Sequence, residues 1–159
     1  MNRLLIVGLG NALMGDDGLG PQAVERLQAE GLPQGVRACQ GETDVLRLLG
    51  LWQGEPQVWL IDALRSGEPP GTITRLTHDE LRCAQQPQTT IHHLSLPESL
   101  RWMALSEPQL QQVTYTLWGV EPASIEPATG LSPAVEKALD ELVPTLRAAL
   151  EQELRTQGP

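Results

Sequence analysis

The 159-residue chain reads as an α/β protein: a single-domain three-layer α/β/α sandwich, residues 1–159, built on a largely parallel or mixed twisted sheet. Three observations carry that expectation. Short apolar runs bounded by turn residues recur along the chain, and segments with helical spacing of apolar residues fall between them. Pro and Gly occur singly or in pairs, as turns, with no linker, repeat or low-complexity tract to divide the chain. Strands alternating with helices imply a sheet covered on both faces. A composition that is 40% hydrophobic and 19% charged supplies the apolar surface for one real core.

The elements follow in order. "RLLIVG", residues 3 to 8, is a buried strand, and Pro21 suits the first turn of a helix whose apolar side carries Val24 and Leu27. "VRAC" gives a second strand and "TDVLRLLGL" a short helix; "QVWLID" is the next buried strand. "GTITRL", after the turn "SGEPPG", and "QQVTYTLWG" add two strands. One helix runs through Leu96, Leu100 and Met103. A long final one runs through Val135, Leu139, Leu142, Leu146 and Leu150, with Ser132 as N-cap and Pro133 behind it.

The net charge of −9 argues against non-specific binding to nucleic acid or an anionic membrane, because each phosphate contact would have to overcome that field. Leu4 to Leu9 is too short for a secretory signal, and no later run approaches a membrane span of ~18 apolar residues. These features lead us to expect a cytoplasmic protein. Cys39 and Cys83 form no CxxC pair, so they are expected to be free buried thiols.

In open α/β sheets, ligands sit outside the carboxyl ends of the strands. "GLGNALMGDDGLG", residues 8 to 20, begins at such an end. It starts like the dinucleotide fingerprint GxGxxG but has Leu13 at the third glycine. "GNALMGDD" has the GxxxxG spacing of a P-loop, yet Asp16 and Asp17 stand where Lys and Ser/Thr would neutralise phosphate. Two carboxylates repel phosphate, so the loop suits a cation better. Helix capping and turn formation explain the same aspartates equally well on spacing alone.

Asp62 ends the apolar run "VWLID", and a carboxylate at the tip of a buried strand must be exposed in a cleft, paired or ligated. "TTIHHLSLPESL" places His92 and His93 in the approach to a helix. Two carboxylates and an imidazole would suit a borderline divalent ion such as nickel or zinc and leave coordination positions open.

"GLGNALMGDDGLGP" resembles the amino-terminal signature of the hydrogenase maturation proteases, which trim the carboxyl terminus of [NiFe]-hydrogenase large subunits. The likeness continues through "VWLIDAL", "GTITRL", "TTIHHLSL" and "LWGVEPASIEPATGLSPAVEKAL" in the family's order. The resemblance implies an α/β/α fold and a metal-binding, catalytic triad that maps onto Asp17, Asp62 and His92, in an open, acidic site. It further implies that no metal cofactor is resident: nickel arrives with the large-subunit precursor, which is the partner. His92 rather than His93 takes the triad position because the family's "H-x-L" register is set by Leu94. The family often has Glu at the first ligand, so Asp17 shortens it. Gly8, Gly10, Asn11 and Gly18 are expected to shape the loop, with Asn11 tying its backbone together. Where many members have Asp-Gly-Gly-Thr, at the edge of the substrate cleft, this chain has "QGET", Gln40 to Thr43.

No GxSxG elbow or HExxH helix is present, so no standard serine or zinc-peptidase motif is encoded. Two other functions compete with nickel-directed processing: a zinc hydrolase that keeps its metal, and a non-catalytic nickel-binding maturation chaperone.

Overall fold

The computed structural model describes residues 1–83, 89–90, 96–156 and 158. Its sheet has the strand order β2-β1-β3-β6-β4, where β1 is Leu4–Leu9, β2 Val36–Glu42, β3 Gln57–Arg65, β4 Ile73–Leu76 and β6 Thr114–Val120. β1 pairs in parallel with β2 and β3, and β3 with β6, while β4 runs antiparallel to β6. The two-residue strand β5, Thr89–Thr90, pairs antiparallel with the end of β3. The sheet is therefore mixed, as expected, with a parallel centre.

Helices cover both faces. α1 (Leu19–Glu30) and α5 (Pro133–Thr156) lie on one side, where Leu4, Ile6, Trp59 and Ile61 share a core with Leu27, Leu139, Leu142 and Leu146. α2 (Leu48–Leu51), α3 (His78–Cys83) and α4 (Leu96–Ser106) lie on the other, packing Leu48, Leu81 and Met103 against Leu5, Val7, Val58 and Leu60. Successive residues of a strand point to opposite faces. All six residues of β1 are consequently buried, the pattern of a strand sandwiched between two helical layers.

Several expectations need adjustment. Gln111 and Gln112 belong to a 3₁₀ turn, Pro108–Gln112, and the strand begins only at Thr114. α3 was not anticipated; at six residues it carries one buried side chain, Leu81, too little for a period to be read. Neither cysteine is a buried thiol: both are free, but Cys39 is half-buried and Cys83 exposed. Among the described residues no helix is long and apolar enough to cross a membrane.

The two ends of the chain meet, with the Arg3 guanidinium donating to the Gly158 carbonyl at 3.1 Å.

Candidate active site

The chain leaves β1 through α1 to β2 on one side, while β3 lies on the other, so the strand order reverses between β1 and β3. The crevice at the carboxyl ends of those two strands is the topological switch point. The glycine-rich loop leaves β1 there, and Asp62 sits near the end of β3.

Glycine is required where the loop closes on itself. Gly10 has φ +131°, and a Cβ on it would lie 1.8 Å from the Asp17 carbonyl oxygen. A Cβ on Gly20 would lie 2.2 Å from the Leu9 carbonyl oxygen and 2.6 Å from that of Ile61. The first turn of α1 thus rests directly on the backbone of both site strands. Gly8 forms the other half of this approach, its missing Cβ falling 2.2 Å from the Gly20 carbonyl oxygen.

The two adjacent aspartates have different work. Asp16 is buried and accepts four hydrogen bonds: from the backbone N–H groups of Ala123 (2.8 Å), Ser124 (3.1 Å) and Ser132 (2.6 Å), and from the Ser132 hydroxyl (2.8 Å). It clasps the glycine-rich loop to the segment leading into α5. Ser132 does stand at the start of that helix, its carbonyl accepting from the Glu136 N–H at 2.8 Å, but its hydroxyl is given to Asp16. Asp16 therefore caps no helix; its role is to hold one loop to another.

Asp17 is buried in a short 3₁₀ turn, Gly15–Gly18, and takes the Asn11 N–H on Oδ2 at 2.8 Å. Asn11 in turn accepts the Leu13 N–H on its side-chain oxygen at 2.9 Å, tying the loop together as expected. Asp62, also buried, differs from every other buried carboxylate. Glu55 holds Arg37 and the Gln53 N–H, and Glu121 takes both the N–H and hydroxyl of Ser66. Neither oxygen of Asp62 has a well-formed hydrogen bond from a described residue, and the Ala63 backbone N–H is the one donor that acts on it. Burial pushes its carboxyl well above the usual carboxylate range, the neighbouring Asp17 charge raises it further, and the Ala63 backbone N–H draws it back only in part.

The structure thus brings Asp17 and Asp62 close enough for one charge to act on the other, and it sets Asp16 apart as a structural residue. Both carboxylates are buried. His92 and His93 lie outside the described residues, and no cluster of three metal-ligating side chains occurs among those described.

A cleft of about 420 Å³ opens at the carboxyl end of β2, lined by Gln40, Gly41, Glu42, Leu46, Arg47 and Leu51 among others. β2 bulges there: Gly8 pairs with Gln40 but Leu9 with Glu42. Glu42 adopts φ +54°, the one left-handed residue other than glycine among those described. Its carbonyl takes the Gly10 N–H at 2.7 Å, which links the bulge to the glycine-rich loop. Sequence reasoning gave no sign of this conformation, because Glu carries no turn signal.

Comparison with known proteins agrees with this geometry. The family model HycI, hydrogenase maturation protease, matches residues 21–149. The hydrogenase 2 maturation protease of Escherichia coli is 31% identical over 152 residues, covering 94% of this chain and 92% of that protein. A putative hydrogenase maturation protease of Methanocaldococcus jannaschii is 30% identical over 142 residues, covering 88% and 91%. The solved hydrogenase maturating endopeptidase HybD of E. coli superposes with a TM-score of 0.79 at 30% identity, over 95% of this chain and 93% of that one. Fold and sequence therefore converge, and the chain belongs to the hydrogenase maturation proteases, endopeptidases that hydrolyse peptide bonds.

Proposed function

We propose that this protein removes the carboxy-terminal peptide of a [NiFe]-hydrogenase large-subunit precursor already loaded with nickel, and that the nickel is the mark it recognises. One observation carries the reading. Asp62 is a buried carboxylate with no well-formed hydrogen bond from the described residues, only the nearby Ala63 backbone N–H, and it lies beside a second carboxylate, Asp17. Leaving a buried polar group unsatisfied costs roughly 1–3 kcal/mol, and more when it is charged. A divalent cation held between the two carboxylates would relieve that cost by balancing their charge. Aspartate oxygens with an imidazole suit nickel, and the reading assigns His92 as the third ligand.

In this reading Asp17, Asp62 and His92 reach nickel held by the precursor, and that contact lays the nearby peptide bond over the site. Metal contact with the scissile carbonyl or with the attacking water would supply the chemistry of hydrolysis. Gln40 and Glu42, which line the cleft at the end of β2, are assigned to selecting the residue beside the scissile bond.

The test mixes the protein with nickel-loaded and nickel-free precursor and measures the mass of the large subunit. Shortening of the loaded form alone is expected. His92→Ala should abolish it and His93→Gln retain it. Shortening of both forms, with zinc co-purifying, would identify a resident-metal hydrolase instead. Binding without shortening would identify a chaperone.

A further inference from the structure

We propose that Leu13 is a substrate-contact residue: a rigidly presented apolar knob, on the loop that carries Asp17, that seats against an apolar side chain of the precursor. This inference rests on the processing function proposed above. Leu13 is 67% exposed, although it lies in the loop whose neighbours Asp16 and Asp17 are buried. Exposure of a single leucine needs no explanation in itself; what sets Leu13 apart is the bracing of its backbone to the loop that carries Asp17.

Its N–H is held by the Asn11 side chain at 2.9 Å, and its carbonyl accepts the Ala128 N–H at 3.1 Å. The next residue, Met14, bridges in parallel to Ala128, donates its N–H to the Asn11 carbonyl at 3.0 Å, and accepts the Asp17 N–H at 3.3 Å. Gly15 donates to the Ala128 carbonyl at 3.1 Å. Asn11 meanwhile gives its own N–H to the Asp17 carboxylate. Leu13 and Asp17 are therefore fixed to the same residue, Asn11, and the segment around Ala128 braces them from outside.

This arrangement has a binding consequence. Ordering a loop and its side chains on association lowers affinity; a backbone already pinned on both sides avoids that cost. A fixed apolar side chain on the loop that carries Asp17 supplies contact area that the charged groups do not. The chemistry it recognises is apolar: an aliphatic or aromatic side chain of the precursor close to its metal.

The test is steady-state processing of nickel-loaded precursor by the wild type, Leu13→Ser, Leu13→Met and, as a control, Leu105→Ser. Leu105 is 73% exposed on α4, outside the glycine-rich loop. Leu13→Ser should raise KM about tenfold, equivalent to about 1.4 kcal/mol, with kcat unchanged. Leu13→Met should restore most of the affinity, and Leu105→Ser should match the wild type. All four melting temperatures should agree. An unchanged KM in Leu13→Ser overturns the inference while leaving the processing function intact. A fall in melting temperature with that substitution also overturns it, by making the side chain structural. If the wild type fails to shorten the precursor, the processing function falls first and the role of Leu13 with it.

Discussion

Replacing Asp16 by alanine separates the two adjacent aspartates of the glycine-rich loop most sharply. The substitution strands the Ala123, Ser124 and Ser132 N–H groups and the Ser132 hydroxyl. Hydrogen bonds to a charged acceptor contribute about 1.5–3 kcal/mol each. Four of them sum to an upper bound, because bonds that share one acceptor are not additive. Ala123 and Ser124 are moreover exposed, so water can take over their N–H groups. A loss of about 3–5 kcal/mol follows. For a domain of this size, 1 kcal/mol moves the melting temperature by about 2–4 °C, so the midpoint should fall by about 6–20 °C. Asp16→Asn keeps one acceptor oxygen and should lose about half as much. Ser132→Ala should cost about 1 kcal/mol, and adding it to Asp16→Ala should cost almost nothing further, since its partner is already gone. Thermal unfolding followed by circular dichroism at neutral pH, alongside precursor processing, reads all four proteins. Should Asp16→Ala melt within about 2 °C of the wild type yet fail to process precursor, Asp16 belongs to the chemistry and the clasp is an error.

Three further outcomes follow from the site. Asp62→Asn should abolish processing yet stabilise the fold at neutral pH: the folded carboxyl holds its proton above the unfolded value of ~3.9, so its contribution is full below that value and lost as pH rises through the raised one. The melting-temperature advantage of the variant should therefore shrink on acidification toward about pH 4, and an advantage that grows instead would reverse the sign of the argument. Gly20→Ala drives a Cβ into two backbone carbonyls that cannot rotate away, and should cost about 3 kcal/mol in urea unfolding; a midpoint matching the wild type would refute the close approach. At position 42, glycine should be about 1 kcal/mol more stable than alanine, because both variants lose the exposed Arg47 ion pair and only alanine retains the left-handed penalty; equal stability would place φ elsewhere.

The parts of the fold that were legible share one property: their apolar pattern is long enough to show a period. β1, β3 and α5 each bury a run or stripe whose spacing appears directly in the residues. α3, β5 and the 3₁₀ turns are too short for that, and their stability comes from what they pack against. At the site, Asp17 and Asp62 were legible because charged residues at strand ends and in glycine-rich loops are conspicuous. The division of labour between Asp16 and Asp17 was not. It depends on a segment more than a hundred residues away, Ala123 to Ser132, reaching one carboxylate and not its neighbour. The left-handed backbone of Glu42 was hidden for a similar reason, since the bulge that demands it arises from the register of β2 on β1.

The position of β1 also bears on how the chain comes to be folded. β1 is made before the other strands of the sheet, yet it is an interior strand, with β2 on one edge and β3 on the other. One of its faces lies in the core that α5, much later in the chain, completes through Leu139, Leu142 and Leu146. Contacts so distant in sequence close slowly, because the loop entropy is lost before the contacts form. At synthesis rates of about 5–20 residues per second, β1 waits several seconds or more for its final cover. Until then the nascent chain presents an apolar strand that can template pairing with other chains. The placement that sets the two aspartates side by side in the finished molecule makes translation the interval in which the chain is most open to mispairing.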